Sequence, residues 1–201
     1  MAVTHHHSST ESAVTGAPTT NSTAFHRAIA ALRIGYGVTF LWAFFDKAFA
    51  LGFGTGAIHD ENTGARTGID FFAKDQAWFN GGSPTEGFLA FGVPADNPFK
   101  SIFNGMAGDT WVNWLFMIGL LGIGVALLSG VAMRIATAAG ALMYTLMFAA
   151  SFPLENNPVI DVHLLGAIVM VVLALGAAGT TWGLGHWWND TELVKKNPVL
   201  R

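Results

Sequence analysis

Three stretches of the chain carry no charged side chain: Thr110–Met133 (24 residues), Ile135–Leu154 (20 residues) and Leu164–Asn189 (26 residues). A helix needs roughly 20 apolar residues to cross a bilayer, so each stretch predicts a membrane span. A fourth, AIAALRIGYGVTFLWAFFDKAFALG, is apolar over a similar length but holds Arg33 near one end and Asp46 and Lys47 near the other. The spans are expected at about 28–51, 111–130, 133–153 and 158–182. Two short turns and one long connection join them, which predicts an all-α integral membrane protein, a four-transmembrane-helix bundle running up and down over residues 25–188.

The long connection, 52–110, exceeds what a bundle turn requires, and its aromatic content (Phe71, Phe72, Trp78, Phe79, Phe88, Phe91, Phe99, Phe103) argues against disorder. GIDFFAKDQAWF and NPFKSIFNGMAG read as short helices with apolar faces, with turn chemistry at Asn80-Gly81-Gly82 and Ser83-Pro84 between them. The segment is either a lid over a cavity or an interfacial cap.

Composition agrees with the pattern: 52% of residues are hydrophobic, 11% are charged, and mean hydropathy is +0.45. Soluble domains carry roughly 25% charged residues. Met1–Ala24, with ten Ser or Thr and no apolar run, is expected to be a disordered cytoplasmic tail, and His5-His6-His7 a solvated part of it. There is no cysteine, which excludes disulfides, thiolate ligands and iron–sulfur clusters within this chain. Arg27, Arg33, Arg134, Lys195, Lys196 and Arg201 gather at one side of the spans, whereas 52–109 holds seven acids against three bases. Both termini, including a tail at 189–201, are therefore expected in the cytoplasm, and the long loop outside. Trp111 and Trp114 fit the outer aromatic belt, and Trp182, Trp187 and Trp188 the inner one.

Span one cannot hide all its charges. Twelve uncharged residues separate Arg33 from Asp46, which makes roughly 18 Å of helix against a hydrocarbon core of roughly 30 Å. Arg33, Tyr36, Phe40 and Lys47 share one face, with Asp46 turned about 100° away from Lys47. Arg33 is expected to snorkel to headgroups. Lys47, at the outer end, is expected to meet Asp161, Glu155 or Asp46.

Between the last two spans lies PLENNPVIDVHLLGA. Asn157 reads as an N-cap and Pro158 as the first helical position. Asp161 then falls near the first turn, and His163 points about 160° away from it, so the two do not form a ready-made dyad. The stretch is either a wet turn or part of a polar site, because ionisable groups within spans are functional candidates by default. Lys47, Asp161 and His163 are the candidate catalytic groups. No metal site is expected, and a bis-histidine haem lacks a second intramembrane histidine. Met117, Met143, Met147 and Met170 read as core filler.

The chain resembles the DoxX/DoxD family of bacterial membrane proteins over Arg33–Trp188. The resemblance is carried by FLWAFFDKAF and GLLGIGVALLSGVAMRIA. An actinobacterial-type branch, akin to the DoxD component of thiosulfate:quinone oxidoreductase, is resembled through WFNGGSPTEGFLAFG, WLFMIGLLGIGVALL and PLENNPVIDVHLL. The long first loop departs from compact members of that family. What the resemblance implies is a location in the bacterial plasma membrane and a part in quinone chemistry. One expectation is an accessory subunit of a redox or respiratory assembly that interacts with quinone. The other is the quinone-reducing membrane subunit of a thiosulfate:quinone oxidoreductase-type enzyme. In either, Tyr36, Trp78, Phe79 and Phe88 are candidate quinone or lipid contacts, and no cofactor is built in. Lipid and other membrane or periplasmic redox subunits are the expected partners, and nucleic acid is not.

Overall fold

The computed structural model describes residues 22–201 and is mostly helical, in the order α1 (Ser22–Phe49), β1 (Ala57–His59), β2 (Arg66–Ile69), α2 (Lys100–Gly105), α3 (Thr110–Ser129), α4 (Met133–Ala150), α5 (Val162–Leu175), α6 (Gly185–Asp190) and α7 (Glu192–Lys196). The expected tail Met1–Ala24, with its histidine triplet, falls mainly outside the described residues, but Ser22–Ala24 already belong to α1. Helices α1, α3 and α4 are long and apolar enough to cross a membrane. With 14 residues, α5 spans roughly 21 Å at about 1.5 Å per residue, less than the expected 158–182. The absence of charge extended further than the helix, because GAAGTTWGL after Leu175 folds as turns and bends.

Helix α1 packs on α3, α3 on α4, and α4 on α5. A single apolar core joins them, with Phe40 and Phe44 from α1, Leu120 and Ile123 from α3, Ala136 from α4, and Met170 and Leu173 from α5. Met117 and Met170 are fully buried, as filler should be. The outward faces are apolar too: Leu115, Ile118, Leu142, Leu146, Leu165 and Ile168 are all exposed. Helices that are apolar on every side suit lipid.

The long connection folds against the C-terminal ends of α1 and α4 and the N-terminal end of α3. β1 and β2 form an antiparallel hairpin, Ala57 opposite Ile69, closed by Asp60, whose Oδ1 accepts the N–H groups of Asn62 and Thr63. The helix expected over GIDFFAKDQAWF does not form. Its first residues complete β2, and Phe72 and Asp75 take left-handed backbone conformations (φ 59° and 60°) that no helix accommodates. The second expected helix is present in part as α2. Leu89, Val93 and Phe103 then pack on Ala150 at the end of α4.

Three polar side chains fasten this cap. Asp46, 3% exposed, accepts from the N–H groups of Phe53 (3.1 Å) and Gly54 (2.7 Å). The Asn113 carbonyl on α3 accepts from the Thr85 hydroxyl (2.7 Å) and the Ser83 hydroxyl (3.1 Å). The Asn97 amide donates to the carbonyls of Ala149 (2.8 Å), Ala150 (3.1 Å) and Phe152 (2.5 Å), which the C-terminal end of α4 otherwise leaves without partners.

Residues 189–201, expected as a tail, instead fold back on the first turn of α4. Val194 is fully buried, the Trp188 indole donates to the Leu200 carbonyl, and the Arg134 N–H donates to the Arg201 backbone oxygen. This last bond serves a helix start that has no side-chain cap.

Candidate functional site

At its N-terminal end α5 begins later than Asn157-Pro158 suggests. Asn157 closes a turn instead, its Oδ1 accepting from Val159 and Ile160. The cap is Asp161, extended at φ −126° and ψ −177°, whose Oδ1 accepts the Leu164 N–H at 2.8 Å. A residue outside the helix is not bound by helical angles. Its Oδ2 therefore reaches His163 Nδ1 at 2.5 Å, and the two form the dyad that helical spacing had excluded. Burial pulls the Asp161 carboxyl upward, but the Leu164 N–H and the His163 ring outweigh it and hold the group below the usual carboxylate range. The cap is thus ionised at neutral pH.

His163 faces Tyr144 of α4, with ring centroids 6.5 Å apart. Tyr144 in turn meets Tyr36 (6.1 Å) and Phe40 (5.4 Å) of α1 edge to face. Gly166 makes this possible: a Cβ there would stand 2.9 Å from the Tyr144 ring. The chain's two tyrosines thus touch within the helices, next to a carboxylate-held imidazole whose Nε2 has no hydrogen-bond partner among the described residues. Tyr144 was not singled out from the sequence. The available signal was its place near the middle of an uncharged run, where tyrosine is unusual, since it favours the interface.

Lys47 does not join this cluster. Its Nζ lies beside Gly54, and the only ion pairs among the described residues are Asp161 with His163 and Glu192 with Lys195. No ion pair forms with Asp161, Glu155 or Asp46, although the Asp46 carboxylate lies beside the same Gly54. Asp161 caps α5, Asp46 fastens the cap, and Glu155 sits exposed in its turn. Trp78 stacks on Phe79 (5.1 Å) and meets the Trp114 edge (4.8 Å), while Phe79 meets Phe49 (5.4 Å). These rings cover the ends of α1 and α3. Phe88 stands apart in a π-helical turn, Gly87–Gly92, partly exposed.

The largest departure from expectation is at the opposite end of the helices, where α3 ends and α4 begins. Arg33 does not snorkel; it is fully buried. Its Nη1 donates to the carbonyls of Leu127 and Leu128, and its Nη2 to those of Thr181 (3.3 Å) and Trp182 (2.9 Å). Leu127 and Leu128 lie in the last turn of α3, where carbonyls lack helical partners and the helix dipole is negative. The guanidinium thereby ties α1 to α3 and to the segment after α5. Gly130, at φ +75°, permits the approach, since a Cβ there would lie 2.5 Å from the Gly179 carbonyl oxygen.

Two groups of candidates result: an oriented imidazole among aromatic rings on α1, α4 and α5, and an aromatic cap over α1 and α3. No family model, curated protein or solved structure matches the chain.

Proposed function

We propose that the chain is a four-span protein of the bacterial plasma membrane, with both ends in the cytoplasm, and that it serves as a DoxX-type accessory subunit of a redox or respiratory assembly that contacts quinone. The observation that carries this reading is the Asp161–His163 pair set against Tyr144 and Tyr36. A quinone accepts two electrons and two protons when it becomes a quinol. An imidazole held at Nδ1 by a carboxylate accepts a quinol hydroxyl at Nε2 and, once protonated, donates Nε2–H to a quinone carbonyl, and the tyrosine and phenylalanine rings supply apolar walls. Electrons must come from a partner, because the chain has no cysteine for a thiol relay or an iron–sulfur cluster. The same pair favours a second reading, a quinone-reducing subunit of a thiosulfate:quinone oxidoreductase-type enzyme, in which protonated His163 delivers one of the two protons and water the other.

Native purification from membranes, followed by quinone extraction and identification of co-purifying proteins, tests both readings. Wild-type protein is expected to retain quinone. Loss of one charge-assisted hydrogen bond should lower retention about tenfold in His163→Ala and Asp161→Asn. Asparagine still caps α5, so Asp161→Asn separates the dyad from the fold. Lys47→Ala should retain quinone, since it touches neither residue. Co-purification with a complex and no turnover supports the accessory role, and thiosulfate-dependent quinone reduction supports the enzyme. Quinone content equal in all variants, or absent from wild type, would overturn the quinone contact.

A further inference from the structure

Arg134 and Arg201 line a cavity of ≈ 190 Å³ at the inner end of α4 and α5, together with Thr180, Trp188 and Asn189. No carboxylate side chain lines it. The Arg134 guanidinium makes one hydrogen bond, to the Pro198 carbonyl (3.0 Å), so most of its five N–H donors are uncommitted. Arg33, by contrast, spends both terminal nitrogens on backbone carbonyls.

A second cavity, of ≈ 270 Å³, runs between α4 and α5 along Thr137, Ala138, Ala141, Met170 and Val171. The two cavities share Arg134 and Ala174. The groove is apolar in effect, because the Thr137 hydroxyl donates to the Met133 carbonyl of its own helix. From Arg134 to Ala141 it descends roughly 10 Å along α4.

We propose that this paired cavity is a site for an anionic phospholipid, with the phosphodiester at Arg134 and Arg201 and one acyl chain in the α4–α5 groove. The inference rests on the membrane reading above. Guanidinium groups pair with phosphate oxygens in a forked geometry. No Asp or Glu side chain lines the cavity to receive the ammonium of a zwitterionic headgroup, and the Arg201 main-chain oxygen is taken by the Arg134 N–H. Continuity of the cationic cavity with an apolar groove distinguishes a lipid from free phosphate, which has no use for the groove. Trp188, in the same wall, suits the headgroup level.

The test is native mass spectrometry of the delipidated protein titrated with phosphatidylglycerol or phosphatidylcholine of identical acyl chains. Two interfacial arginines should favour phosphatidylglycerol by about tenfold or more. Arg134→Gln and Arg201→Gln should each erode that preference, and together abolish it. Ala174→Leu, at the junction, should weaken both lipids with the arginines intact, and it serves where the double variant fails to fold. Millimolar inorganic phosphate should not displace the lipid. Equal binding of the two lipids, or a preference that survives the double variant, overturns the site. So does displacement by phosphate with Ala174→Leu silent, which marks a free-anion site. Protein recovered from membranes but lacking the preference overturns this inference alone. Protein recovered in the soluble fraction overturns the membrane reading with it.

Discussion

Arg33→Ala is expected to lower the unfolding free energy by about 3–5 kcal/mol, the range for breaking a buried charged network. Four carbonyls, those of Leu127, Leu128, Thr181 and Trp182, lose their donor at once. Water does not easily replace it, because the residue is fully enclosed by α1, the end of α3 and the Gly130–Gly179 approach. Arg33→Lys should recover only part of the loss, since one ammonium cannot span acceptors that the planar fork reaches on two sides. Denaturant unfolding in mixed micelles measures the effect. A snorkelling arginine would behave otherwise: its replacement by alanine would change stability by only about 0.5 kcal/mol, as at ordinary surface positions.

The second large effect is expected at the opposite end. Asn97→Ala should cost about 2–3 kcal/mol and speed amide exchange across 87–105. Its side-chain amide alone serves the carbonyls of Ala149, Ala150 and Phe152, while its Oδ1 accepts the Phe99 N–H at 2.7 Å. At 5% exposure there is little water to take over. The loss should spread through Leu89, Val93 and Phe103, which pack on Ala150, and leave exchange in α1 unchanged. Hydrogen–deuterium exchange by mass spectrometry resolves the two regions. Uniform acceleration along the chain would show that Asn97 supports the whole fold rather than the cap.

Both residues mark where the sequence was mute. Lipid excludes charge, so uncharged runs located α3 and α4 to within a few residues at most ends. The same signal overshot α5, since Gly176, Gly179 and Gly183 are as uncharged as leucine but end the helix. Aromatic density suggested helices in the outer loop, and the hairpin escaped notice because its strands have three and four residues. Asn157 and Asp161 are both competent caps four residues apart, and the later one prevailed. That choice put Asp161 outside the helix and against His163, so an angle that holds within helices misjudged the pair. The partners of Arg33 and Asn97 are backbone carbonyls, which leave no trace in residue identity. Lys47 was matched to carboxylates by charge alone, whereas backbone N–H groups had already claimed Asp46 and Asp161.

The proposed topology is the central claim: it puts the aromatic cap and the Asp161–His163 mouth on the outer face, and the Arg33 clamp and residues 185–201 on the inner one. The chain has no cysteine, so single cysteines report without background. Glu61→Cys, Glu155→Cys and Glu192→Cys all sit at exposed positions. In intact cells a membrane-impermeant maleimide should label the first two, and the third only after permeabilisation. Labelling of Glu192→Cys together with Glu61→Cys in intact cells, or protection of Glu155→Cys while Glu61→Cys reacts, would contradict the account.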